Sequence, residues 1–128
     1  MKIDIPISCG ELVDKLTILQ IKKIKIKEKI KLEQVNKEYE YLMKTYSGIL
    51  KKFPNLNEMH DRLYQINLNL WEIEDKVRMC EKNDKFDHSF IDLARSVYQT
   101  NDLRFAIKNE INEYLNSDVK EQKSYEQY

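Results

Sequence analysis

Glycine and proline are scarce: two of each in 128 residues. A β-sandwich or barrel needs frequent turns built from such residues, so that composition excludes both. Cysteine is also scarce. Cys9 and Cys80 lie far apart, whereas a secreted disulfide scaffold is short and cysteine-dense, so both read as free thiols in a reducing compartment. Excess charge of either sign is missing, with 22 Lys and Arg against 22 Asp and Glu. A dedicated nucleic-acid binder carries a basic excess, so nucleic acid is not expected as a partner. There is no apolar run of about 18 residues, hence no expected membrane span. Asp4 and Pro6 interrupt the N-terminus, so no signal peptide is read there, and a cytoplasmic location is expected. No Gly-rich phosphate loop or nucleophile elbow occurs. His60 and His88 fall in no zinc-ligand spacing with Cys9 and Cys80, so neither metal nor cofactor is expected.

The length fits one domain, large enough to bury a core without a disulfide or metal. Residues 1–7 alternate, with Ile3, Ile5 and Ile7 on one side, an extended arm with one apolar face. Ser8-Cys9-Gly10-Glu11 then reads as a capping box, Ser8 the N-cap and Glu11 at N3, with Ile7 and Leu12 as the hydrophobic staple. The helical pattern continues to about residue 46, where Ser47-Gly48 could end it. Within it, Lys22 to Lys31 alternates Lys and Ile at period 2. The flanking helical pattern and the helix propensity of Lys and Glu favour helix there. This basic run reads as a solvated face rather than a site for phosphates or an acidic membrane, having neither Arg nor interleaved aromatics.

Asn55 with Glu58 signals a second helix over about 55–81. Its stripe of Met59, Leu63, Ile66, Leu70, Ile73, Val77 and Cys80 keeps an unbroken 4-3 spacing, the seam of a coiled-coil-like bundle. Asp87 or Ser89 caps a third helix over about 89–115. Apolar residues thin out beyond it, so 1–115 is read as one domain and 116–128 as a disordered tail. Short connections make the helices antiparallel neighbours. The expected fold is all-α, an antiparallel three-helix bundle with an N-terminal arm. In that bundle the first helix overhangs by about ten residues. Either it bends or breaks in the Lys/Ile segment, or the overhang pairs with a second copy as a homodimer through helix 1.

Polar residues in the third helix's stripes locate a candidate site. Whichever 4-3 frame of this helix faces the core, Arg104 points inward, and a buried guanidinium needs an acidic partner, a ligand or water. Uniform helical rise sets Asn67 and Trp71 opposite residues 100–104 and offers Asp75 as partner. Trp71, Asp75, Arg78, Arg95, Asn101, Arg104 and Lys108 therefore form the candidate patch. Arginine is rare among the basic residues here, and three of the four, Arg78, Arg95 and Arg104, fall in this stretch, where planar bidentate donors suit an anion. The competing reading is ordinary intramolecular ion pairing, such as Glu74 with Arg78. Glu72 and Asp75 supply half of a magnesium-binding carboxylate pattern, but Glu38 and Glu40 point to different faces.

The stretch Ile5-Pro6-Ile7-Ser8-Cys9-Gly10-Glu11-Leu12-Val13-Asp14-Lys15-Leu16 resembles the opening of a family of short bacterial proteins of unknown function, with Val13 where that pattern has Ile. Leu70 to Asp75, Ala94 to Arg104 and Lys123-Ser124-Tyr125 are similar to it as well. The resemblance implies no activity. It implies at most an association with cell-surface polysaccharide synthesis, adds Asp102 beside Asn101 to the first patch, and marks Asp14 and Lys15, which with Ser8 and Glu11 of the capping box make a second candidate patch. The expected function is a non-catalytic binding or adaptor module holding an anionic small molecule or a protein partner at the polar middle of the second and third helices. The alternative is a small enzyme acting on a phosphorylated or carboxylated metabolite, with Asp75 or Asp102 as general base.

Overall fold

The computed structural model describes residues 1–128. It contains four helices and no strand: α1 (Cys9–Lys25), α2 (Lys29–Lys52), α3 (Leu56–Lys82) and α4 (His88–Tyr114). The all-α class holds, but the expected three-helix bundle is corrected to four helices. The first predicted helix is two, separated by Ile26-Lys27-Glu28. A continuous helix would stack Lys23 on Lys27, Lys25 on Lys29 and Lys27 on Lys31, and like charges at i,i+4 repel. Ile26 and Glu28 turn extended instead, at ψ 130° and 123°. The Ile26 N–H still closes the last turn of α1 on the Lys22 carbonyl at 2.9 Å.

The break lets α2 return along α1. Leu19 and Lys22 share one hollow with Gln34 and Val35, while Leu12 and Lys15 share another with Tyr41 and Leu42. α1 therefore becomes the inner helix, packed against α2, α3 and α4. The overhang that led to the expectation of a dimer through helix 1 does not exist. Val13, Leu16, Tyr46, Leu56, Leu63, Ile107 and Ile111, drawn from all four helices, form the buried core.

Helix ends follow local chemistry in part. Ser8 accepts the Glu11 N–H at 3.0 Å and Asp87 accepts the Phe90 N–H at 3.3 Å. Asn55 makes no side-chain cap. Backbone turns from Phe53, Pro54 and Asn55 accept the first N–H groups of α3 instead. Gly48 sits inside α2, which runs on to Lys52. Both α3 and α4 end on a left-handed residue, Asp84 (φ 51°) and Asn116 (φ 49°). The following N–H groups, of Lys85 and Ser117, fold back onto the carbonyls of Cys80 and Asn112, which is the Schellman arrangement. That turn delivers Ser117 to the start of α1.

The arm runs beside α2, with the Lys2 ammonium 5.1 Å from the centre of the Tyr41 ring. Past Tyr114 the chain returns along α4. Glu121 comes within 3.0 Å of Lys108, and the Tyr128 ring meets Tyr98 edge-on at 5.2 Å. No helix is long and apolar enough to cross a membrane.

Candidate functional site

The N-terminal motif of α1 is a docking element. The first N–H groups of a helix have no intrahelical acceptor. Here Cys9 N–H donates to Ser117 Oγ at 3.1 Å, Gly10 N–H to Asn112 Oδ1 at 2.6 Å and Glu11 N–H to Ser8 Oγ. Gly10 is required for that approach. A Cβ there would lie 3.0 Å from Asn112 Oδ1 and far inside van der Waals contact with the Lys108 carbonyl oxygen. Glu11 does not close a reciprocal capping box. Its carboxylate meets Lys108 Nζ at 2.8 Å and Lys15 Nζ at 3.8 Å.

One turn on, Asp14 is buried at 1% exposure. Arg104 grips it with two donors, Nε to Oδ1 at 2.9 Å and Nη2 to Oδ2 at 2.5 Å. Asn67 Nδ2 donates to Asp14 Oδ1 and to Thr17 Oγ1, both at 2.9 Å. Burial pushes the Asp14 carboxyl up, but the hydrogen bonds from Arg104 and Asn67 and the charges of Arg104 and Lys108 outweigh it, leaving the group below its ordinary range. The Asp14 hydrogen bond holds the Arg104 guanidinium above its ordinary value against desolvation. Burial lowers Lys108, but Glu11 and Glu121 more than restore it. Two patches that the sequence keeps apart, Ser8–Lys15 and the helix around Arg104, are thus one network, centred on buried Asp14 with Lys15 at its exposed edge.

Asp75 is not the partner of Arg104, which corrects the expected pairing. Taken as an isolated pair, α3 and α4 leave Asp75 as the available carboxylate, whereas α1 lies against both and presents Asp14 first. Asp75 does share a hollow of about 310 Å³ with Arg104, Trp71 and Arg78. Ile18 and Ile21 of α1 and Leu70 of α3 complete its apolar wall, and Asn67 and Glu74 also line it. Arg104 spans the two regions. Its outer nitrogen, Nη1, has only a long 3.5 Å bond to Asn101 Oδ1, and its side chain is 28% exposed.

The remaining candidates lie elsewhere. Lys108 belongs to the buried network, and Arg95 is exposed and outside the hollow. Asp102 accepts a hydrogen bond from the Tyr128 hydroxyl, beside the returning tail. Asn112, Ser117, Thr17 and Glu121 were missed. Thr17 and Asn112 are uncharged residues beside apolar neighbours, and Ser117 and Glu121 fall in the segment read as a tail. No three His, Cys, Asp or Glu side chains converge to hold a metal ion.

The charges of the hollow do not sum to a cationic pocket. Arg104 is met by Asp14 and Arg78 by Glu74 at 3.8 Å, while Asp75 has no ion-pair partner. The chain belongs to a family of unknown function, DUF6165, which it matches over residues 1–128. No curated protein and no solved structure gives a significant match to it.

Proposed function

Starting from that family membership, we propose that the protein is a non-catalytic binding module whose ligand sits in the hollow between α1, α3 and α4. One observation carries this reading: Trp71, Asp75 and the free edge of Arg104 line a single hollow, with Arg104 fixed from behind by Asp14. An apolar wall with a few convergent polar groups is the usual composition of a small-molecule site. Asp14 takes two of the five N–H donors of Arg104 and neutralises its charge, so a polyanion gains little there. A hydroxyl-rich or zwitterionic small molecule fits better. It accepts from Arg104 Nη1, donates to Asp75 and lays its body against Trp71. The free thiols Cys9 and Cys80 support a cytoplasmic location.

Trp71 is the single tryptophan of the chain, so its fluorescence reports on the hollow directly. Titration with a hexose, a zwitterionic amino acid, inorganic phosphate and a dicarboxylate, alongside thermal melts, tests the reading. Emission should shift with one of the first two classes, and Asp75→Asn should abolish the shift without lowering the melting temperature. A panel that moves neither emission nor melting temperature sinks the proposal. Turnover of any ligand would replace it with the enzyme alternative.

A further inference from the structure

The segment between α1 and α2 carries a second feature that the hollow does not explain. Lys22, Lys23, Lys25, Lys27, Lys29 and Lys31 crowd into the break. Of these six only Lys31 reaches a carboxylate, Glu28 at 3.3 Å. The break also exposes aliphatic surface: Ile24 is 60% and Ile30 68% accessible. The N-terminal arm brings more of the same chemistry to this end, since Met1 and Lys2 share a hollow with Lys22 and Val35, and Met1 is fully exposed. α2 adds to the positive field. No acidic residue follows in its first turn, and the Glu28 side chain makes no cap bond.

The net charge of the chain is zero, so this concentration is an asymmetry and not a general basicity. Exposed isoleucines set between lysines of which five lack a carboxylate partner suit one kind of surface, although Lys23 rests on the Tyr39 ring and Lys27 on the Ile24 carbonyl. Lysine ammonium groups reach lipid phosphates from flexible stems, while the aliphatic side chains between them enter the acyl boundary. A nucleic acid would leave Ile24 and Ile30 wetted, and the segment offers it neither arginine forks nor aromatic rings to stack on. We propose that the α1–α2 break is a docking tip for an anionic phospholipid surface, on which the molecule lies without crossing it.

Co-sedimentation of the full chain with vesicles tests this. Binding is expected to vesicles of equimolar phosphatidylcholine and phosphatidylglycerol, not to phosphatidylcholine alone, and should fade as salt rises from about 0.1 M to about 1 M. The triple change Lys25→Gln, Lys27→Gln, Lys29→Gln should cut partition about a hundredfold. Ile24→Ser with Ile30→Ser, which leaves every charge in place, should cut it about tenfold. Those side chains are exposed, so circular dichroism should show unchanged helix content in both variants. Failure to bind the anionic vesicles overturns the proposal. So does binding indifferent to the isoleucines, with duplex DNA captured as tightly, or lipid-independent self-association that the isoleucine change abolishes.

Discussion

Arg104 and Asp14 are separated by 90 positions in the chain, yet the guanidinium lies edge-on to the carboxylate and joins α4 to α1. Removing one member leaves the other as a buried charge with too few partners. Asp14→Asn and Arg104→Met should each cost about 3–5 kcal/mol in urea unfolding, the usual penalty for breaking a buried pair. The double variant Asp14→Leu/Arg104→Met removes both charges and should fall within about 2 kcal/mol of the parent protein. Losses that simply add would mean the two side chains do not depend on each other.

The two glycines should respond in opposite directions to alanine. At Gly10 the added Cβ meets the Lys108 backbone, which cannot swing away as a side-chain end would. Gly10→Ala should cost about 1–3 kcal/mol, the range for overpacking, and should weaken the docking of α1 on α4. At Gly48, inside α2, nothing lies within 4 Å of the new carbon. Gly48→Ala should stabilise by about 0.5–1 kcal/mol, because glycine is the poorer helix former. Paired thermal melts check the signs. Equal behaviour would show that the close approach at Gly10 is absent in solution.

Local chemistry was legible and tertiary choice was not. The Ser8 cap and the inward aim of Arg104 could be read from residue type and spacing alone and are present, and of the two caps offered for α4, Asp87 and Ser89, the structure uses Asp87. The break at Ile26-Lys27-Glu28 was not resolved, because it contains no Gly or Pro and each of its lysines favours helix singly. Repulsion between lysines four apart weakens a continuous helix only slightly, and the packing of α2 back on α1 is long-range, so no local signal marks the break. That one break reverses the chain and brings α1 between its neighbours. The identity of the Arg104 partner depends on it: with α1 outside the bundle Asp75 is the available carboxylate, and with α1 inside it is Asp14. Trp71, Asp75, Arg78 and Arg104 line one hollow, since the antiparallel register of α3 and α4 survives the correction.

Acid should unfold the protein partly through Asp14. Its folded-state pKa lies below the ordinary carboxylate value. Its contribution is therefore complete above about pH 3.9 and disappears as pH falls through the depressed value. The double variant Asp14→Leu/Arg104→Met lacks that titration, so its stability should fall less steeply below about pH 4. Urea unfolding at several acid pH values gives the slopes. Identical slopes would place the acid sensitivity in other carboxylates.

Alkali should act through Tyr46. This side chain is 3% exposed, packs 5.6 Å from the His60 ring, and its hydroxyl is buried with no hydrogen-bond partner. Burial, with a smaller push from the Asp61 charge, raises its pKa from 10.0 to about 12. A raised pKa contributes stability that is whole below the unfolded value and is lost as pH climbs through the folded one. The window is therefore about pH 10 to 12, and the loss about 2–3 kcal/mol. Lys108, also raised, is lost only above its own ordinary value and in the same direction. Tyr46→Phe separates the two. It deletes an unsatisfied buried hydroxyl, so at neutral pH it should be neutral or stabilising by about 1 kcal/mol. Between pH 10 and 12 it should lose less stability than the parent, retaining the part of the decline that belongs to Lys108 and to Tyr128, which its hydrogen bond to Asp102 also raises. A destabilised Tyr46→Phe at neutral pH would mean that the hydroxyl has a partner after all, an internal water being the simplest, and that this corner of the core is polar by design of the packing around His60.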